Sequence, residues 1–129
     1  SSKLGLPECS LGLIPGYNGT QKLTKIVGSN IALEMILTSK IISSDKALSF
    51  GIINHCVKKD KLLSEALNLA TLCANISPES AAAAIKSVNS TYLNNGEEIE
   101  SEEFSKLFDT KNFNEGISAF LEKRKPNFT

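Results

Sequence analysis

Residues 61–76 read KLLSEALNLATLCANI, an apolar rod with a single polar seam. Ser64, Asn68, Thr71 and Asn75 recur at spacings of 4, 3 and 4. In an α-helix that spacing puts them in one row and leaves mostly leucine and alanine around the rest of the circumference. Such a helix has to be covered by something. Residues 29–37 make the same demand, because Ile31, Leu33, Met35, Ile36 and Leu37 leave almost no polar face. A chain with these two segments is either a compact helical bundle or part of something larger.

The punctuation between apolar runs sets the other elements. Residues 3–6 can form a short strand ended by Pro7, and Pro15-Gly16 and Asn18-Gly19 mark 15–19 as a turn. A helix from Thr20 to Val27 should stop at Gly28, with Ser29 capping the next. Ser43 opens a short helix with Asp45 in its first turn and Gly51 beyond its end, and Ile52, Ile53 and Val57 around Asn54 and His55 suggest a short strand. Ser77-Pro78 is an N-cap followed by proline at the first helical position. The helix that follows carries apolar residues at Ala81, Ile85, Val88 and Tyr92 and is broken by Asn94-Asn95-Gly96. Glu97, Glu98, Glu100, Glu102 and Glu103 read as the solvated start of another helix, with Lys106 and Lys111 toward its end. Asn112 and Glu115 have capping-box spacing for a last helix. That helix should turn Ile117, Phe120 and Leu121 inward and end on Lys123-Arg124-Lys125 before Pro126. The fold class expected is mostly α with a short β opening.

Composition removes several functions. Hydrophobic residues make up 41% of the 129 and charged residues 22%, as in a globular domain. Fourteen basic and fourteen acidic residues cancel, which disfavours nucleic acid or an anionic membrane as a partner. No apolar run approaches the ~20 residues of a membrane span. Cys9, Cys56 and Cys73 are odd in number and match no zinc or disulfide spacing, so a reducing compartment and no metal are expected. His55, the single histidine, is read as a strand residue without a catalytic role.

Three stretches together resemble one family. GLPECSLGLIPGYNGTQKLTKIVG is similar to the P-E-x-x-x-G-x-x-P-G-x-G-G-T-Q-x-L-x-x-x-x-G segment of the crotonase, or enoyl-CoA hydratase/isomerase, superfamily. ALEMILTSKIISSDKALSFGIINHCV continues the likeness, and DTKNFNEGISAFLEKRKPNFT resembles the terminal signature of enoyl-CoA hydratases. The resemblance implies the C-terminal portion of the crotonase ββα spiral. Residues 1–58 would close the spiral core with its catalytic loop, and residues 59–129 would form the helical trimerisation region.

It also implies a reaction, the addition of water to the double bond of a 2-enoyl-CoA thioester in acyl-CoA metabolism. Glu8 would be a general acid/base, stiffened by Pro7, and Gly16 would aim its backbone N–H at the reacting water. Pro15, Phe120 and Lys123 would bind substrate, Phe120 near the adenine of CoA and Lys123 at its phosphates, from a neighbouring subunit's terminal helix. The partners implied are acyl-CoA, further copies in a trimer or dimer of trimers, and an N-terminal half carrying the oxyanion donors and a second glutamate. Without that half the chain is expected to be inactive. No cofactor is implied beyond the CoA of the substrate, and the location implied is the cytoplasm or the mitochondrial matrix. An isomerase of the superfamily and a non-catalytic helical oligomerisation fragment stand as alternatives. Asn18 departs from the family's glycine, and asparagine is the residue other than glycine that best tolerates positive φ. Cys9 is expected to turn away from the site as a small buried thiol.

Overall fold

Gly28 divides the longest helix. In the computed structural model, which describes residues 2–129, helix α1 runs Gly19–Leu37 but has φ 78° and ψ 164° at Gly28, a region essentially closed to any residue with a Cβ. The helix is therefore two helical runs in series, as the spacing of the sequence suggests.

The described chain forms two compact units that meet in sequence between Lys59 and Asp60. In the first, strand β1 (Lys3–Leu4) pairs antiparallel with β2 (Ile42–Ser43), Lys3 opposite Ser43 and Leu4 opposite Ile42. A 3-10 helix, Pro7–Leu11, precedes α1, and α2 (Ser44–Ser49) follows β2 at once. Ser43 caps α2 by accepting the Lys46 N–H at 3.2 Å. The core is Leu23, Ala32, Met35, Ile36, Ile42 and Ala47, flanked by Leu4, Leu6, Cys9 and Phe50 among others. The strand expected at 52–57 does not form. Ile52 and Ile53 pack against the core instead, and Asn54, His55 and Val57 are exposed. A strand needs a paired edge, and the only ladder among the described residues is the two-residue pair β1–β2.

The second unit holds α3 (Leu62–Ala74), α4 (Pro78–Asn89), α5 (Gly96–Leu107) and α6 (Lys111–Leu121). Ser77 caps α4 through the Ser80 N–H. Helices α4 and α5 pack on each other, and Glu103 accepts from both Lys86 and Lys106 at 2.7 Å. No residue of α3 is buried, so the apolar surface around its polar seam is uncovered within this chain. Lys111 begins α6 rather than closing α5.

The cap of α6 is Thr110, which accepts the Phe113 N–H at 3.1 Å, and not Asn112. Asn112 is 4% exposed and has another task. Its amide donates to Glu79 at 2.7 Å and to the Thr129 carbonyl at 2.8 Å, while its oxygen accepts the Thr129 N–H. The Asn112 amide first, then the Glu79 backbone N–H and the Ser77 hydroxyl, hold the Glu79 carboxyl below its usual range. With Asn112 and Ala119 buried and Gly116 under the Phe128 ring, α6 covers its small and polar face. Ile117, Phe120 and Leu121, expected inward, are exposed. The tail after the helix occupies the face that an inward apolar row would have needed.

Three helices close in the same way. The residue after the cap takes positive φ, and its N–H and the next one bond back to the last turn, satisfying carbonyls that would otherwise be orphaned. In α1 these are Ser39 to Ile36 and Lys40 to Met35; in α2, Gly51 to Leu48 and Ile52 to Ala47; in α6, Lys123 to Phe120 and Arg124 to Ala119. The residues with positive φ are Ser39 (51°), Gly51 (72°) and Lys123 (55°). Only α2 uses glycine there.

Glu115 anchors the tail. Its carboxylate accepts both Arg124 Nη atoms, at 2.6 and 2.9 Å, and the Asn127 N–H at 2.7 Å. The guanidinium first, and then the amide, lower its carboxyl from an ordinary 4.5 to about 2. A folded carboxyl depressed in this way contributes stability fully above its unfolded value and loses it as pH falls through the folded one. Acidification from pH 4.5 to 2 is therefore expected to lower the exchange protection of the Asn127 amide, measured by NMR relative to an unstructured amide at the same pH. Arg124→Met should flatten that pH dependence; an unchanged profile would contradict the clamp.

Candidate active site

Proline opens the candidate site. Pro7 is the first residue of the 3-10 helix Pro7–Leu11, where its missing N–H is no loss and its fixed φ suits the turn. The helix ends at Gly12, whose N–H bonds to the Cys9 carbonyl while Leu13 N–H bonds to that of Glu8. The Pro7 carbonyl accepts the Ser10 hydroxyl at 2.7 Å and that of Ser39, beyond the end of α1, at 3.4 Å. The backbone of Glu8 is thus held on both sides.

Its carboxylate is not. Glu8 Oε2 is the one buried side-chain nitrogen or oxygen among the described residues without a hydrogen-bond partner. An unmet buried polar atom typically costs about 1–3 kcal/mol. The Glu8 side chain as a whole is half-buried, and the one oxygen that this fold withdraws from water is left unbonded. Cys9 beside it is half-buried against the core rather than alternating along a strand, since the segment is a 3-10 helix.

Pro15 and Gly16 lie on the neighbouring turn. Pro15 is buried, and Gly19 is the contact that fits it in. A methyl group at Gly19 would stand 2.9 Å from Pro15 Cβ and 3.6 Å from both Leu6 methyls. Leu6 immediately precedes the Glu8 helix, so its packing on Gly19 brings the two turns together. Gly19 N–H closes the turn onto the Gly16 carbonyl at 2.8 Å, and both residues between them have positive φ, Tyr17 at 50° and Asn18 at 63°. Asn18 does what was expected of it. Tyr17 was missed: the turn is of the mirror-image type in which both central residues take positive φ, and the sequence signals that only at Asn18. Its ring is wholly exposed, so nothing within the chain compensates the strain. Nothing within 4 Å would meet a Cβ at Gly16, whose φ is ordinary; packing in this chain does not require glycine there.

Phe120 and Lys123 belong to the second unit. Phe120 is 81% exposed on the outer face of α6. Lys123 is exposed, and among the described residues it makes no ion pair. Its neighbour Arg124 is committed to Glu115 and Glu122. Among the described residues no three His, Cys, Asp or Glu side chains converge as metal ligands, and no helix is long and apolar enough to cross a membrane.

Comparison with known proteins gives a consistent result. All of residues 1–129 match the family described as enoyl-CoA hydratase/isomerase. A probable enoyl-CoA hydratase of Bacillus subtilis is 40% identical over 98% of this chain and 51% of its own. A mitochondrial enoyl-CoA hydratase of Pongo abelii is 40% identical over 95% of this chain and 43% of its own. The crystal structure of an enoyl-CoA hydratase from Bacillus anthracis superposes with a TM-score of 0.94 at 32% identity, over 99% of this chain and 51% of that one. The chain spans about half the length of these relatives, and over that half it has their crotonase fold.

Two glycines separate packing from chemistry. Gly19→Ala should destabilise the chain by about 1–3 kcal/mol through overpacking on Pro15, whereas Gly16→Ala should change its stability by no more than about 0.5 kcal/mol. Equal losses in thermal denaturation would contradict the contact assignment. Glu8→Met should stabilise the chain by about 1 kcal/mol, because it removes the orphaned oxygen.

Proposed function

The chain belongs to the enoyl-CoA hydratase/isomerase family, and on that premise we propose that it supplies the Glu8 side of an enoyl-CoA hydratase site. The observation that carries this reading is the buried, unpartnered Glu8 Oε2. Hydration has to deliver a hydroxyl to the β-carbon of the enoyl thioester and a proton to its α-carbon. A carboxylate facing one water can accept a proton while a second carboxyl donates one. Glu8 is the first of these groups, and its lack of any bond within the chain leaves both lone pairs of Oε2 for the water. Gly16, with open space where a side chain would be, lets backbone approach that water closely. Pro15 shapes the wall beside it. Charge that develops on the thioester oxygen needs preorganised donors. Those donors and the second carboxyl lie in the half of the relatives that this chain does not span, joined here as the C-terminal part of the spiral.

In the same reading, Phe120 and Lys123 serve CoA across a subunit boundary in a trimer or dimer of trimers. Phe120 offers an exposed aromatic face to the adenine, and Lys123 a point charge to phosphate. Lys123 takes the left-handed position that closes α6, where glycine would carry about 1 kcal/mol less strain. Bacterial and mitochondrial relatives support a cytoplasmic or matrix location. A second reading, a helical oligomerisation module without catalysis, draws on the uncovered surface of α3 and the exposed Ile117, Phe120 and Leu121. Light scattering that finds a monodisperse monomer would sink it.

The main test joins this chain to the half of the Bacillus subtilis relative that it does not match. That assembled protein should hydrate crotonyl-CoA, the 129-residue chain alone should not, and Glu8→Gln should lower kcat by roughly 10²–10⁴-fold. Turnover by the chain alone, or full activity in Glu8→Gln, would defeat the proposal. In the same protein Lys123→Gly should raise the melting temperature and weaken the apparent affinity for enoyl-CoA together; a lower melting temperature would contradict the strain argument.

A further inference from the structure

The turn after α6 is tied more firmly than a helix end requires. Glu122 and Arg124, on either side of Lys123, bond to each other at 2.6 Å. Arg124 then reaches back nine residues to Glu115 with two nitrogens, and the same carboxylate takes the Asn127 N–H. Between them sits Lys123 at φ 55°, the left-handed residue of the same closure that Ser39 and Gly51 make after α1 and α2. The lysine side chain is left exposed while the cation beside it is fully engaged.

We infer that Glu115 is a positioning residue for CoA recognition: by gripping Arg124 and the Asn127 N–H, it fixes the left-handed turn that presents the Lys123 amine to a phosphate-bearing ligand. The inference rests on the reading of Lys123 given above and extends it to a residue that touches no substrate. Its physical basis is preorganisation. A lysine on a fixed turn meets a phosphate with less ordering left to be done at binding than one on a mobile tail. The bidentate carboxylate–guanidinium pair is the strongest geometry available for fixing it.

The test uses the assembled protein and two substrates with the same reacting end, crotonyl-CoA and the crotonyl thioester of N-acetylcysteamine, which lacks phosphate and adenine. Glu115→Gln should raise KM for crotonyl-CoA roughly three- to tenfold with kcat little changed. It should leave kcat/KM for the short thioester unaltered, and Glu115→Asp should recover part of the loss. Lys123→Met should reproduce the same split. In the 129-residue chain, Glu115→Gln should also speed exchange of the Arg124 amide that closes onto the Ala119 carbonyl. Equal losses on both thioesters would overturn the inference and make Glu115 merely structural, with Lys123 untouched. A Lys123→Met protein with unaltered KM would instead remove the reading on which the inference stands.

Discussion

The close approach of Leu6 and Pro15 to Gly19 is the contact that places the Glu8 turn in the first unit. It costs only the absence of a side chain, yet it sets the Pro7–Leu11 helix and the Pro15–Gly19 turn against each other. Once those are placed, the Glu8 backbone is held by the Leu13 N–H and by the hydroxyls that reach the Pro7 carbonyl. One oxygen of the half-buried Glu8 side chain, Oε2, is then withdrawn from water without a partner. A chain shaped for stability alone would place an apolar residue there. The unmet oxygen and the strained Tyr17 are both local faults in folding terms, and they fall within ten residues of each other. Rules that hold elsewhere in a sequence tend to be broken where function is carried.

The second unit shows the same economy in another form. Asn112, Glu115 and Arg124 spend their bonds on the tail from Lys125 to Thr129, and the tail covers the small face of α6. The apolar face, with Ile117, Phe120 and Leu121, is left outward, and α3 buries none of its residues. Surface of this extent is uncommon on a protein that acts by itself. The chain spans about half the length of its relatives, and under the function proposed above the cover of these faces falls to the other half and to other copies.

Much of this was legible in the sequence, for identifiable reasons. Most local signals held: Ser43 and Ser77 cap their helices, Gly28 breaks α1, and Gly51 closes α2, whereas the Asn112–Glu115 spacing pointed to a cap that Thr110 supplies. The pairing of Lys3–Leu4 with Ile42–Ser43 was not legible, because a two-residue ladder has no periodicity and its partners lie far apart in sequence. Ile52 to Val57 has strand composition, but β-propensity describes a side chain that fits a pleated surface and cannot supply the neighbouring strand. The spacing of Ile117, Phe120 and Leu121 identifies the apolar face of α6; whether that face is covered depends on where the tail goes, which no helical period encodes. Glu8, Pro15, Gly16, Phe120 and Lys123 were picked out by resemblance. The orphaned oxygen of Glu8, the turn strain at Tyr17 and the grip of Glu115 on Arg124 needed three dimensions.

The most direct measurement follows oxygen rather than rate. The assembled protein is given crotonyl-CoA in oxygen-18 water, and the acyl product is analysed by mass spectrometry. If Glu8 works on a water, the heavy isotope enters the β-hydroxyl of the product, and incorporation collapses in Glu8→Gln. A protein that shifts the double bond of a 3-enoyl-CoA but places no heavy oxygen in the product would contradict hydration, and it would leave Glu8 as a base for isomerisation.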